Sequence, residues 1–170
     1  MSQSKAHISC CKTISSDLTK MGQKIVIGSD HGGFGLKEII VTELKKDGFE
    51  VYDLGCFDTT SVHYPEIGQK VAQKVADGEY PRGILICGTG IGMSIIANRI
   101  SRVRATLCHD QLTAKLSREH NNSNILVLGG RILGIETAKA ILEVWLKTDF
   151  IGGHHQQRLD MIENYSPNSN

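Results

Sequence analysis

The stretch ILICGTGIGMS, Ile84 to Ser94, decides how the rest of the chain is read. Three aliphatic residues run into a thiol, Cys87, and then Gly88, Gly90 and Gly92 alternate with Thr89, Ile91 and Met93. Glycine weakens strands and helices alike, so its density here marks a tight turn where a ligand can approach the backbone closely. The reading is a buried strand, GILIC, ending at Cys87, then a turn, then a helix from about Ile91 to Ile100.

The same strand–turn–helix joint recurs on both sides. Upstream, KIVIGSD is a short β-branched run, and GFGLKEIIVTELKKDG carries Leu36, Ile39, Ile40 and Leu44 at helical spacing before Gly48. FEVYDLG is the next strand, and YPEIGQKVAQKVADG is a helix opened by proline and closed by glycine. Downstream come the strand RATLC, the helix DQLTAKLSREHN, the strand NILVLGG, the helix GIETAKAILEVWLKTD and a last short helix over HQQRLDMIENY. Strands alternating with helices predict an α/β fold, a Rossmann-like three-layer α/β/α sandwich on a five-stranded parallel sheet. Ligands bind such sheets at the carboxyl ends of the strands, where strand order reverses. The residues to inspect are Ser29-Asp30-His31, Gly55-Cys56, Cys87 to Gly92, His109-Asp110 and Gly129-Gly130-Arg131.

At 170 residues the chain suits one domain with a tail, here 23–165 between a disordered extension, 1–22, and a flexible end, 166–170. Its 19 basic and 18 acidic side chains leave a net charge of +1, which argues for neither nucleic acid nor a membrane surface as partner. No apolar run approaches the roughly 20 residues of a membrane helix. The five cysteines, Cys10, Cys11, Cys56, Cys87 and Cys108, show no zinc spacing and no secretion signal precedes them, which points to reduced thiols and a cytoplasmic setting. Cys108, in an apolar run, reads as a small buried hydrophobe.

Chemistry concentrates at the glycine turn. The start of the helix after Cys87 offers free N–H groups and the positive end of its dipole, which suit a phosphate or a developing oxyanion and favour the thiolate form of Cys87. A buried structural cysteine beside a tight turn is the alternative. The turn is no dinucleotide fingerprint, because Met93 stands at the third glycine position and the strand is the third, not the first. Asp30 either caps the first helix or serves a ligand. His31, followed by Gly32 and Gly33, can handle hydroxyl protons or hold a phosphate. His120 either acts as a general acid, favoured by the helix C-terminus, or caps the last carbonyls where Asn121 ends the helix. Arg131, together with His154 and Arg158 four residues apart, can clamp a phosphate, and each alone also reads as a surface charge. No metal ligand set accompanies the histidine pair, and no cofactor is expected.

Taken together, GSDHGGFGLK, YPEIG, GILICGTGIGMSIIANR, RATLCHD, AKLSREHNNSNILVLGGR and HHQQR resemble the type B ribose-5-phosphate isomerases, a family that includes galactose-6-phosphate and allose-6-phosphate isomerases. The resemblance covers residue 24 to about 164. It implies metal-free aldose–ketose isomerisation through a cis-enediol, in a dimer or tetramer with active sites across the subunit interface. It implies that Cys87 is the base, that Gly88, Thr89, Gly90, Ile91 and Gly92 hold the enediolate, and that His120 opens the sugar ring. Asn121, Asp30 and His31 would contact the sugar, and Arg131, His154 and Arg158 its phosphate. Two other readings stay open: an isomerase of six-carbon aldose 6-phosphates, and a non-catalytic sugar-phosphate-binding subunit. The family more often has arginine at the position of His154, and histidine is a weaker, pH-dependent partner for phosphate.

Overall fold

The computed structural model describes residues 23–165, so the N-terminal extension and the C-terminal end expected from the sequence lie outside the described residues. Five strands, β1 (Lys24–Ser29), β2 (Glu50–Asp53), β3 (Arg82–Cys87), β4 (Ala105–Leu107) and β5 (Ile125–Gly129), form one sheet in the order β2-β1-β3-β5-β4. Every neighbouring pair is parallel. Six helices accompany them among the described residues: α1 (Phe34–Lys46), α2 (Tyr64–Ala76), α3 (Ile91–Ala97), α4 (Gln111–Asn121), α5 (Ile135–Lys147) and α6 (His154–Glu163).

The period of two along each strand sorts the core into two layers. Ile25, Ile27, Ile84, Ile86, Leu126 and Leu128 face α1, α4 and α5, whose Leu36, Ile40, Leu44, Ala114, Ile141 and Trp145 complete one cluster. Val26, Leu85, Cys87, Ile125 and Val127 face α2 and α3, which supply Ile67, Val71, Ala72, Val75, Met93 and Ala97. The expected three-layer sandwich is therefore present. Cys87 falls on the α2–α3 side because it is two residues beyond Leu85.

Several boundaries differ from the sequence reading, these three among them. Helix α3 stops at Ala97 rather than near Ile100, since the Asn98 side chain exchanges hydrogen bonds with the Ala105 backbone (2.8 and 2.9 Å) and draws the chain toward β4. Strand β4 keeps three residues of the five in RATLC, as an edge strand with one neighbour. Helix α6 begins at His154, one residue ahead of HQQRLDMIENY, and ends at Glu163.

Strand order places the ligand crevice. From β1 the chain moves outward to β2, and from β3 it moves the other way, so β1 and β3 lie side by side at the point of reversal. The ends of these two strands, Ser29 and Cys87, open the crevice where such sheets bind small molecules.

Candidate active site

A cavity of about 450 Å³ occupies that crevice, lined by Asp30, His31, Gly32, Tyr64, Cys87, Gly88, Thr89, Ile91, Gly92, Ile95 and Arg131. Its size suits one small metabolite. Each wall follows from a local feature of the chain. Asp30, nearly buried, takes the Gly33 N–H on Oδ1 at 3.0 Å, and its own N–H reaches Ile86 O across to β3. Gly33 is the N-cap of α1, so Asp30 orders the helix start and still faces the cavity. Asp30 therefore does not cap α1 as the sequence reading allowed, because Gly33 holds the N-cap position without a side-chain cap hydrogen bond. His31 receives the Val62 N–H on Nδ1 at 3.4 Å, which leaves Nε2 as the protonated nitrogen of the neutral ring.

Cys87 lies at the floor, 5% exposed, and the Gly90 N–H points at its Sγ from 3.1 Å. Gly90 has φ +82, the left-handed conformation that brings its amide back over the sulfur. A Cβ there would stand 2.4 Å from Leu107 Cδ1 and 3.2 Å from the Leu128 carbonyl, so the turn requires glycine in both conformation and space. At Gly92 a Cβ would meet the Tyr64 ring at 2.6 Å, so a larger residue there would push Tyr64 out of its place on the cavity wall. The turn is tied to the next strand end by Gly130 N–H to Cys87 O (2.8 Å) and Arg131 N–H to Gly88 O (2.9 Å), which sets Arg131 at the rim. Thr89 Oγ1 accepts the Ile91 N–H at 3.3 Å. A sulfur held under a backbone donor, with further amides at the start of α3 and an arginine at the rim, can carry a proton to and from carbon while negative charge is held nearby.

The remaining candidates form a second group at the other end of the sheet. Helix α4 runs back against the strands, so its C-terminus lies by the strand starts. Asn124 O accepts the Gly83 N–H at the beginning of β3, and Asn122 O accepts Arg104 Nε beside β4. His120 and Asn121 end this helix. The carbonyls of Ser117 and Arg118 are taken by the backbone N–H groups of Ser123 and Asn122, so His120 is not needed as a cap. Its ring stacks on His155 of α6 at 4.2 Å, and His154 lies 3.9 Å from His155. Six strand residues at roughly 3.3 Å each place about 17–20 Å between the two ends. Within one chain, Arg131 therefore does not share a clamp with His154 and Arg158, and none of His120, Asn121, His154 and Arg158 lines the cavity. Among the described residues no group of His, Cys, Asp and Glu is placed to hold a metal ion.

Sequence reasoning passed over Tyr64, Ile95 and His155. Tyr64 opens α2 beyond a long connection from β2, where a search limited to the residues next to each strand stops short. Ile95 follows Ile91 by one helical turn on an outward face. The Pro65 that starts α2 and the i, i+4 pair on α3 were the available signals.

A parallel α/β sandwich with a thiol, a glycine turn and an arginine at its point of strand reversal defines a class, the small-metabolite enzymes that act at strand ends. Within that class the chain belongs to the ribose/galactose isomerase family, whose model matches residues 25–162. It is 46% identical over 140 residues, 82% of this chain and 94% of the other, to ribose-5-phosphate isomerase B of Escherichia coli. The ribose-5-phosphate isomerase B of Clostridium thermocellum superposes with a TM-score of 0.82 at 50% identity, over 83% of this chain and 95% of that one. The Mycoplasma genitalium isomerase B, solved with bound ribulose-5-phosphate, gives 0.82 at 40% identity over 88% and 99%.

Proposed function

We propose that the chain interconverts ribose 5-phosphate and ribulose 5-phosphate through a cis-enediol, a step of the pentose phosphate pathway. The observation that carries this reading is Cys87 Sγ at the cavity floor with the Gly90 N–H aimed at it. The relatives' activity agrees with it. The Cys87 thiolate takes the C2 proton of the open-chain aldose while the C1 oxygen gains a proton, which gives the enediol. The sulfur then returns a proton to C1 as the C2 oxygen loses one, so the reaction is proton-neutral. The amides from Gly88 to Gly92 and the Thr89 hydroxyl hold the negative charge that develops on oxygen. Asp30 and His31 bind sugar hydroxyls.

His120 is the acid that opens the furanose ring, Asn121 contacts the sugar, and His154 and Arg158 hold the phosphate together with Arg131. Because these groups lie at opposite ends of one chain, the reading requires two copies, with His120 and α6 of one placed over the Cys87 cavity of the other in a homodimer or a larger even assembly. Exposed Ile91 and Ile95 beside the cavity are suited to such a contact. The unpaired thiols of Cys56, Cys87 and Cys108 favour a cytoplasmic enzyme. Among the described residues no helix is long and apolar enough to cross a membrane.

The test is aldose–ketose conversion of ribose 5-phosphate beside allose 6-phosphate and galactose 6-phosphate. Highest kcat/KM on ribose 5-phosphate is expected. Preference for a six-carbon sugar would replace the substrate, and binding without turnover would replace the activity.

A further inference from the structure

His155 has no part in the chemistry described so far, yet it sits between two residues that do. It is buried on a helix whose polar neighbours are exposed: His154, Gln156, Gln157 and Arg158 all face solvent. One face of its ring lies on His120, 4.2 Å between centroids and 10° from parallel. His154 lies against it at 3.9 Å and 39°. The backbone supports the same placement. Ile151 N–H donates to Glu119 O, which ties the segment before α6 to the last turn of α4, and His155 N–H donates to Gly152 O.

We propose that His155 is a positioning residue, an uncharged flat spacer that fixes the ring plane of His120 and keeps it apart from His154. The inference rests on the reading of His120 as the ring-opening acid. Three imidazoles and a guanidinium crowd one spot. If the middle ring carried a proton, His120 would face a cation in van der Waals contact and would itself be discouraged from holding the proton it must donate. The charged neighbours acting on His155 are His154 and Arg158 from its own helix and His120 from α4, all basic. Burial first, and then these three, lower its pKa from the usual histidine value, which favours the neutral ring. A neutral ring stacks on His120 without opposing its protonation and restricts the imidazole to rotation in one plane. An acid must sit within hydrogen-bond reach of the ring oxygen it protonates, so control of that plane bears directly on ring opening.

The substrates separate this role from a structural one. Ribose 5-phosphate is a furanose closed through its C4 oxygen and must be opened before Cys87 can act. Ribulose 5-phosphate has its C5 oxygen esterified, so its C2 ketone cannot close a furanose. Its conversion starts from an open chain, and the aldehyde it yields can cyclise in water unaided.

The experiment measures initial rates in both directions for wild type, His155→Leu, His155→Phe and His120→Asn in the full-length assembled protein. For His155→Leu, consumption of ribose 5-phosphate should fall about 10- to 100-fold, the loss expected for a misplaced catalytic group. Consumption of ribulose 5-phosphate should change by less than about twofold, because the Cys87 step is untouched. His155→Phe, which restores a flat uncharged ring, should recover most of the ribose 5-phosphate rate with an unshifted pH profile. Equal loss in both directions, or none, would overturn the proposal, as would a phenylalanine variant no better than leucine or one whose pH profile moves. Should the leucine variant not fold, His155→Asn is read in the same way. His120→Asn separates the two levels of argument. If it shows no difference between directions, the reading of His120 as the acid fails. If it shows the difference and His155→Leu does not, the spacer role alone fails.

Discussion

Gly90→Ala strikes the contact on which the proposed chemistry depends while leaving every polar side chain of the site in place. Two costs are readable from the structure. At φ +82 a side chain adds roughly 1–2 kcal/mol of left-handed strain. The new Cβ would also stand 2.4 Å from Leu107 Cδ1 and 3.2 Å from the Leu128 backbone. Leucine can turn away and the strand cannot, so the turn itself must shift and carry the Gly90 N–H off Cys87 Sγ. A hydrogen bond to a charged group contributes about 1.5–3 kcal/mol. Its loss from the thiolate and from the transition state that follows predicts a fall in kcat/KM of about 10- to 150-fold. The strain should lower Tm by about 2–8 °C for a chain of this size. The assays are turnover of ribose 5-phosphate, alkylation of Cys87 by iodoacetamide followed by mass spectrometry, and a thermal melt. Alkylation should slow alongside turnover. Gly35→Ala is the control, since nothing lies within 4 Å of its Cβ and its position on α1 favours alanine. A Gly90→Ala enzyme with wild-type turnover and alkylation would refute the argument that this amide sustains the sulfur's reactivity.

Other expected outcomes are independent of that turn. Mixing Cys87→Ala with His120→Asn subunits, each impaired on ribose 5-phosphate, should restore part of the ribose 5-phosphate turnover, since half of the sites in mixed dimers would hold both native groups; an active monomer in sedimentation, or no recovery after mixing, contradicts a shared site. Burial pushes the Cys108 thiol from 9.0 to about 11, so the fold holds it protonated while the unfolded chain lets it ionise. That contribution is complete below the unfolded value and is lost as pH rises through the folded one, about 2–3 kcal/mol at most. Urea melts of wild type should therefore lose stability over this window relative to Cys108→Ala, and parallel pH curves would contradict it. The Lys37 side chain, fully buried, pairs with Asp53 and with Glu38 at 3.1 Å. Asp53→Ala should cost up to about 3–5 kcal/mol in denaturant melts by leaving the buried ammonium with the half-exposed Glu38 alone, and adding Lys37→Met should recover most of that loss; no recovery in the double variant would contradict this.

Much of the fold is legible in the chain because each element carries its own signal. Aliphatic runs of strand length end at glycine or a polar cluster, helices show apolar residues three and four apart, and the two kinds alternate from Lys24 to the end of α5. What the residues do not carry is the order of strands. The unbroken apolar run of β5 fits an inner strand and the short, mixed β4 an edge, but no local spacing says that β5 pairs with β3. The site divides along the same line. Asp30, His31, Cys87 to Gly92 and Arg131 follow strands, and the parallel sheet gathers them of necessity. His120 follows a helix, and in this topology a helix ends where strands begin, so His120, Asn121, His154 and Arg158 come together elsewhere. The buried position of His155 is set by the packing of α6 on α4, a tertiary contact with no spacing rule in the sequence.

The proton step at Cys87 is the centre of the account, and the initial rate of ribose 5-phosphate isomerisation by Cys87→Ala, compared with wild type, tests it most directly. The wild-type chain should convert ribose 5-phosphate to ribulose 5-phosphate. The variant should keep the wild-type circular dichroism and oligomeric state and lose about 10²–10⁴-fold or more in rate, the usual contribution of a positioned base. A folded Cys87→Ala protein that isomerises ribose 5-phosphate within tenfold of wild type would contradict it.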